Sequence, residues 1–276
     1  MINTGTLSLE RLVRTELPPL PGSVMRIHGM LSDMNVSQSA IANAISLDPT
    51  LATKVLRLAN SPLYSLERRV TNLSAAVSAI GNHALAETLL VSGVNDSFGG
   101  RLLNSSVGKY IWFHLLSTAM AASELVKLAG LRGADEAFSC GLLHDIGKLI
   151  LLRADPSFYV RMMERGRAGE DLPQLERAIL GFDHAELGAT AAELWKLPGP
   201  VCTMIRFHHE PQKATEGMAI TRIINIADRL VHLKMESQEI DDLLFSETVL
   251  GFGFSAAQFE TIWEHLIVRL RELTRA

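Results

Sequence analysis

Apolar positions recur along this chain with the period of a helix, not of a strand. After Asp48-Pro49, the residues Leu51, Val55, Leu58 and Ala59 fall at i, i+4, i+7 and i+8, which makes one stripe. Asp48 suits the N-cap of that helix and Pro49 its first turn. The same pattern predicts helices over 8–16, capped by Ser8, over 23–31, and over 38–47, capped by Ser37. Another opens at Asn72 or Ser74, is interrupted by Gly81, and resumes over 84–91. Leu17-Pro18-Pro19-Leu20-Pro21 cannot be helix interior, because proline lacks the donor and clashes with the preceding turn. No segment alternates convincingly, so the predicted fold class is all-α. Val94 to Gly100 brings two glycines and several turn formers together and predicts a boundary there. An N-terminal helical module over 1–100 would then be followed by a second helical bundle over 101–276.

In the second half, helices are predicted over 105–128, 136–153, 158–165, 174–180 with Pro173 at its start, 185–195, 200–208, 219–233 and 256–274. Ala119, Ala121, Ala122 and Ala129 leave room for a helix to approach closely, and Gly188, Ala191 and Ala192 make another thin face. Polar groups sit inside these apolar segments: His114, His144, Asp145, Lys148, Glu176, His184, His208, His209 and Asp228. Burying a charge is costly unless it is paired or bound to a metal, so a helix seldom carries an imidazole, a carboxylate and an ammonium within five residues without a use for them. His144 and Lys148 are four apart and share a face; Asp145 and Lys148 are three apart.

Composition narrows the function classes. With 47% hydrophobic and 20% charged residues the chain is globular, not disordered. A net charge of −4 disfavours a nucleic-acid backbone as partner. The two cysteines, Cys140 and Cys202, form no paired motif and read as small buried hydrophobes. No apolar run reaches the ~18 residues a membrane span needs. Residues Met1 to Gly5 do not open a secretory leader, so the expected location is the cytoplasm. In the first hundred residues His28 and His83 stand alone and Arg68-Arg69 reads as a solvated loop pair, leaving packing or partner recognition as that module's expected role.

Each buried polar residue also has a plain structural reading. Asp145 and Asp228 have local partners in Lys148 and Arg229; His208 and His209 could close a helix C-terminus; Asp183 and His184 could open a helix. Imidazole and carboxylate together, without thiolate, suit Fe, Mn, Ni or Zn. Side chains from separate helices would then meet in a bundle core.

The order His114, His144-Asp145, Asp228 resembles the signature of the HD-domain metal-dependent phosphohydrolases. With Leu17-Pro18-Pro19-Leu20-Pro21, Leu58-Ala59-Asn60-Ser61-Pro62-Leu63-Tyr64 and Trp195-Lys196-Leu197-Pro198 before His208-His209, the chain resembles the HDOD family of bacterial signal-transduction proteins over about residues 16–235. The resemblance implies an all-helical unit with an N-terminal helical part and an HD-like bundle. His184, His208 and His209 resemble the extra ligands of the HD-GYP cyclic-dinucleotide phosphodiesterases, and Glu176 a bridging or supporting acid there. The Gly-Tyr-Pro of that group is absent: the chain reads Glu210-Pro211-Gln212-Lys213-Ala214.

The expectation is one or two divalent ions among His114, His144, Asp145 and Asp228, with His184, His208 and His209 at a second position. Asp145 would bridge the two, and Lys148 would neutralise phosphate charge. Two functions compete: a metal-dependent phosphohydrolase acting on a nucleotide or cyclic dinucleotide, and a non-catalytic adaptor that docks a signalling protein through its N-terminal helices while the HD-like bundle holds a structural metal or a regulatory nucleotide.

Overall fold

The computed structural model describes residues 8–33, 35–61, 64, 69–99, 101–238, 240, 243, 249 and 251–275. Met1 to Gly5, Pro62, Leu63 and Arg68, which entered the reading above, lie outside them. The described residues form an all-α chain without a strand, and no helix among them is long and apolar enough to cross a membrane.

The chain divides into two compact units, one of Leu20–Ser97 with Ile267–Ala276 and one of Phe98–Leu266 with the first residues up to Pro19. In the unit of residues 20–97 the helices are α2 (Gly22–Ser32), α3 (Gln38–Ser46), α4 (Pro49–Ala59), α5 (Leu73–Ile80) and most of α6 (Asn82–Phe98). Their ends follow local chemistry. Ser37, Asp48 and Asn72 each accept a backbone N–H from the first turn they precede. The apolar stripe of α4 buries Leu51, Val55 and Ala59 against Ile27, Ile41, Ile45 and Val77. After α4, Asn60 clasps the following loop: its amide donates to the carbonyl oxygens of Leu56 and Val70, and its Oδ1 accepts from Val70 N at 2.8 Å. Asn60 is thus a backbone tie, which accounts for a polar residue between Ala59 and Ser61.

The boundary expected over 94–100, of which Gly100 lies outside the described residues, contains the division between the two units at Ser97 and Phe98, yet no turn marks it: α6 stays helical through Phe98. Val94 and Phe98 are four apart and both buried, and that packing outweighs the turn-forming tendency of Asn95, Asp96 and Ser97.

The other unit begins with α1 (Leu9–Thr15), capped by Ser8. The proline segment after it is held when Trp195 Nε1–H donates to the carbonyl oxygen of Pro18 at 3.0 Å. The rest follows as α7 (Arg101–Asn104), α8 (Ser106–Leu128), α9 (Ala134–Leu143), α10 (Ile146–Ala154), α11 (Pro156–Arg167), α12 (Leu172–Leu180), α13 (His184–Leu194), α14 (Gly199–Phe207), α15 (Met218–Met235) and the part of α16 (Ala256–Arg275) up to Leu266. The long helix α8 is the axis of this bundle. It packs on α9 and α15, and most of its residues from Ile111 to Val126 are buried.

Two backbone approaches set the spacing of the helices. A Cβ on Gly141 would meet Ala119 Cα at 2.6 Å, so α8 and α9 touch backbone to backbone. A Cβ on Gly147 would collide with the carbonyl oxygen of His184, so α10 and α13 touch in the same way, with Gly188 opposite. Gly147→Ala should therefore lower stability by about 1–3 kcal/mol, read by chemical denaturation, because rigid backbone must move. Gly29→Ala, at an exposed interior position of α2 with nothing within 4 Å, should instead stabilise by about 1 kcal/mol.

Candidate metal centre

The sequence reading of one helix over 136–153 does not hold. The chain breaks into α9 and α10, and His144 and Asp145 are the two residues between them. His144 keeps helical angles, whereas Asp145 leaves them at φ −105° and ψ 18°. The reason is geometric. On a continuous helix neighbouring side chains diverge by about 100°. The break brings both groups onto one point, with Oδ2 of Asp145 3.3 Å from His144 Nε2.

Around that point the fold gathers the predicted residues into two overlapping sets of close ligand atoms. One set is His114, His144, Asp145 and Asp228; the other is Asp145, His184, His208 and His209. Oδ2 of Asp145 lies 3.5 Å from His114 Nε2, and Oδ1 of Asp228 lies 3.5 Å from His144 Nε2. The other oxygen of Asp145 faces the second set, 3.1 Å from His184 Nε2 and 3.5 Å from His208 Nε2. Asp145 thus offers one oxygen to each set. His209 closes the second set with Nε2 2.9 Å from His184 Nε2, and its side chain is 31% exposed.

The outer partners decide which nitrogen each ring presents. His144 Nδ1 lies 2.7 Å from the carbonyl oxygen of Gly141, and His208 Nδ1 lies 2.7 Å from that of Ile205. A carbonyl only accepts, so both rings carry their proton on Nδ1 and leave Nε2 for the centre. Glu176 does the same for His184, accepting from its Nδ1 at 2.6 Å and from its backbone N–H at 2.8 Å. Tyr159 donates to the other oxygen of Glu176 at 2.8 Å. Asn225 donates to the carbonyl oxygen of His208 at 2.7 Å. The sequence reading missed Tyr159 and gave Asn225 no role. Asn225 could have been found as a second polar residue three before Asp228 on an otherwise apolar stretch of α15.

Lys148 does pair with Asp145, at 2.5 Å. Asp183 does cap α13, accepting from Glu186 N, and holds Arg177 in an ion pair. Asp228 does not take Arg229 as its partner: its oxygen lies 2.9 Å from His114 Nε2.

These residues fit a cation. Ligands about 2.0–2.2 Å from one ion stand roughly 3–4 Å apart, which is the spacing found. His144 Nε2, Asp145 Oδ1 and His208 Nε2 are buried and have no hydrogen-bond partner, an expensive state that a positive charge would relieve. Without an ion, protons must serve. Burial lowers the pKa of His144, but Asp145 and Asp228 lift it to about 10. Burial likewise lowers that of His184, and Glu176 and Asp145 lift it to about 9. Below those values a cation must displace protons. Affinity for Zn or Mn should therefore strengthen as pH rises from 6.5 to 8.5, about tenfold per pH unit for each proton displaced, in competition with a coloured chelator. An affinity flat across that range would remove these imidazoles from the ligand set.

Comparison with known proteins accords with this architecture. Residues 17–211 match the HDOD domain model. The match spans His114 to His209; Asp228 lies beyond it. An HDOD domain protein of unknown function from Geobacter sulfurreducens superposes with a TM-score of 0.72 at 25% identity, over 96% of this chain and 95% of that one. A candidate phosphohydrolase from Shewanella amazonensis SB2B shares the fold at a TM-score of 0.71 and 24% identity, over 95% of each chain. A Treponema pallidum (strain Nichols) protein is 32% identical over 206 residues, 73% of this chain and 39% of its own length. The chain thus spans about two fifths of that relative. With the family model covering well over half of its residues, the chain belongs to the HDOD family.

Proposed function

We propose that this protein is a metal-dependent phosphohydrolase acting on a nucleotide-type phosphoester in a signalling context. The observation that carries the proposal is Asp145, a fully buried carboxylate with one oxygen turned to each of two histidine sets. His114, His144, Asp145 and Asp228 would hold one ion; Asp145, His184, His208 and His209 would hold the other. Fe, Mn, Ni and Zn all accept this donor set. Divalent ions, when bound, supply Lewis acidity toward a phosphate oxygen and acidify water.

The chain's own groups do the rest. The carbonyl oxygens of Gly141 and Ile205 and the carboxylate of Glu176 fix the rings, so no reorganisation is needed when substrate arrives. Lys148 lines the open cleft beside the centre and stays charged, since its pKa, though lowered by burial, is raised by Asp145. It can face a phosphate oxygen while its pairing with Asp145 holds it in place. Burial of His144, Asp145, His184 and His208 strengthens the charge contacts among them.

A second role for residues 20–97 is docking of a signalling protein. Those helices bury a core of their own, and neither ligand set includes a residue from them among the described residues.

Two outcomes are expected. Purified protein should contain Fe, Mn, Ni or Zn by elemental analysis, and the double variant His144→Ala, Asp145→Ala should lose it while keeping its helical circular dichroism. Metal-loaded protein should hydrolyse a phosphoester from a panel of nucleotides and cyclic dinucleotides. Asp145→Asn should lower that rate by more than about a hundredfold, beyond what loss of an outer partner alone produces. Wild-type protein that carries metal but turns over nothing would leave the docking role standing alone.

A further inference from the structure

The cleft above the centre is larger than a phosphate group needs. It has a volume of about 640 Å³, in the range of sites that enclose a whole small molecule. Its floor is His114, Asp145, His184, His209 and Asp228. Its wall is built by α8, by α15 and by the corner between α11 and α12. Two features of that wall have no part in the chemistry described above.

The first is a stack. The guanidinium carbon of Arg167 lies 3.9 Å from the centroid of the Tyr110 ring. Glu236 holds the pair from the far side: Tyr110 donates to its Oε1 at 2.8 Å, and Arg167 Nε lies 3.8 Å from the same oxygen. Burial and Glu236 push Tyr110 up to about 12, so the phenol stays neutral and the ring keeps its electron-rich face. Arg167 lines the cleft with its side chain 41% exposed, so part of this flat cation is accessible from the cleft. Guanidinium planes are good stacking partners for nucleobases.

The second is a charge left over. Lys148, Arg177, Arg206 and Arg167 each face a carboxylate, from Asp145, Asp183, Glu193 and Glu236 in turn. Arg229, half-buried on the cleft wall, has no such partner among the described residues. A partly buried, unpaired guanidinium is a ready binder of phosphate oxygens.

We propose that this cleft is a nucleoside-phosphate site, in which the Arg167–Tyr110 stack receives the base and Arg229 receives a phosphate. The assignment rests on the hydrolase reading for its purpose but not for its test, which is equilibrium binding. AMP, adenosine and ribose 5-phosphate are titrated calorimetrically into the protein as purified, with metal content and melting temperature measured alongside.

AMP should bind at least tenfold more tightly than ribose 5-phosphate. Arg167→Ala should weaken AMP about tenfold and leave ribose 5-phosphate unchanged. Arg229→Gln should weaken AMP and ribose 5-phosphate alike, about tenfold, and leave adenosine unchanged. If the stack only pinned α11 to its neighbours, Arg167→Ala would lower the melting temperature and affect all three ligands equally; that result overturns the base platform. Equal affinity of wild type for AMP and ribose 5-phosphate overturns it too, and leaves the hydrolase reading intact if the metal-loaded protein still hydrolyses a phosphoester. Absence of metal with AMP preference retained would do the reverse.

Discussion

A carboxylate with no access to water is unstable unless positive charge surrounds it, and Asp145 is such a group. Burial raises its pKa, yet Lys148, His144 and His184 hold it well below the usual carboxylate range. Those groups come from α10, from the residue that follows α9, and from the first residue of α13. Remove the positive charge, and the two acids at the centre repel each other in a medium that screens poorly. The centre is accordingly a condition on the packing of the bundle as well as a candidate metal site.

That condition explains why small residues stand where they do. His184 reaches Asp145 only because α13 lies on α10, and the two backbones approach so closely that Gly147 has no room for a side chain. Likewise α9 delivers His144 beneath α8, which carries His114, by bringing Gly141 against Ala119. The glycines and alanines set the distances between backbones, and those distances bring ligand atoms to within 3.5 Å of a shared carboxylate. Packing in this unit and donor geometry are therefore one problem.

Around the centre the polar residues fall into layers with different work. Histidines and acids present lone pairs inward. Main-chain carbonyls, Glu176 and Asn225 fix the rings and the turn that carries them. Farther out, Arg177, Arg206 and Arg167 are tied to acids, and Arg229 has no acid partner among the described residues. The unit of residues 20–97 shows another use of polar side chains: Asn60, in the segment before Tyr64, spends its hydrogen bonds on closing a loop. A polar residue inside an apolar motif is thus part of a cluster that could hold a metal ion in one unit and a backbone clasp in the other.

Much of this was legible in the chain. The helical period, the caps at Ser37, Asp48 and Asn72, and the unusual load of histidine and aspartate in apolar segments are local properties, carried by residues within a few positions of one another. Even the thin faces at Ala119 and Gly188 could be read as places where helices would touch. The helical period runs unbroken through Asp145, so the pattern of apolar positions did not show that the helix breaks there; Gly147 and Asp145 itself weaken the helix locally, and tertiary contacts make the break favourable. Nor could it show that α6 runs on through Asn95 to Phe98, where burial overrides local preference. It left Asp228 with two neighbours to choose from, and the fold chose His114 over Arg229. Local order along a chain sets which elements form. Which charges meet is decided by how those elements pack, because a partner's distance in space is independent of its distance in sequence.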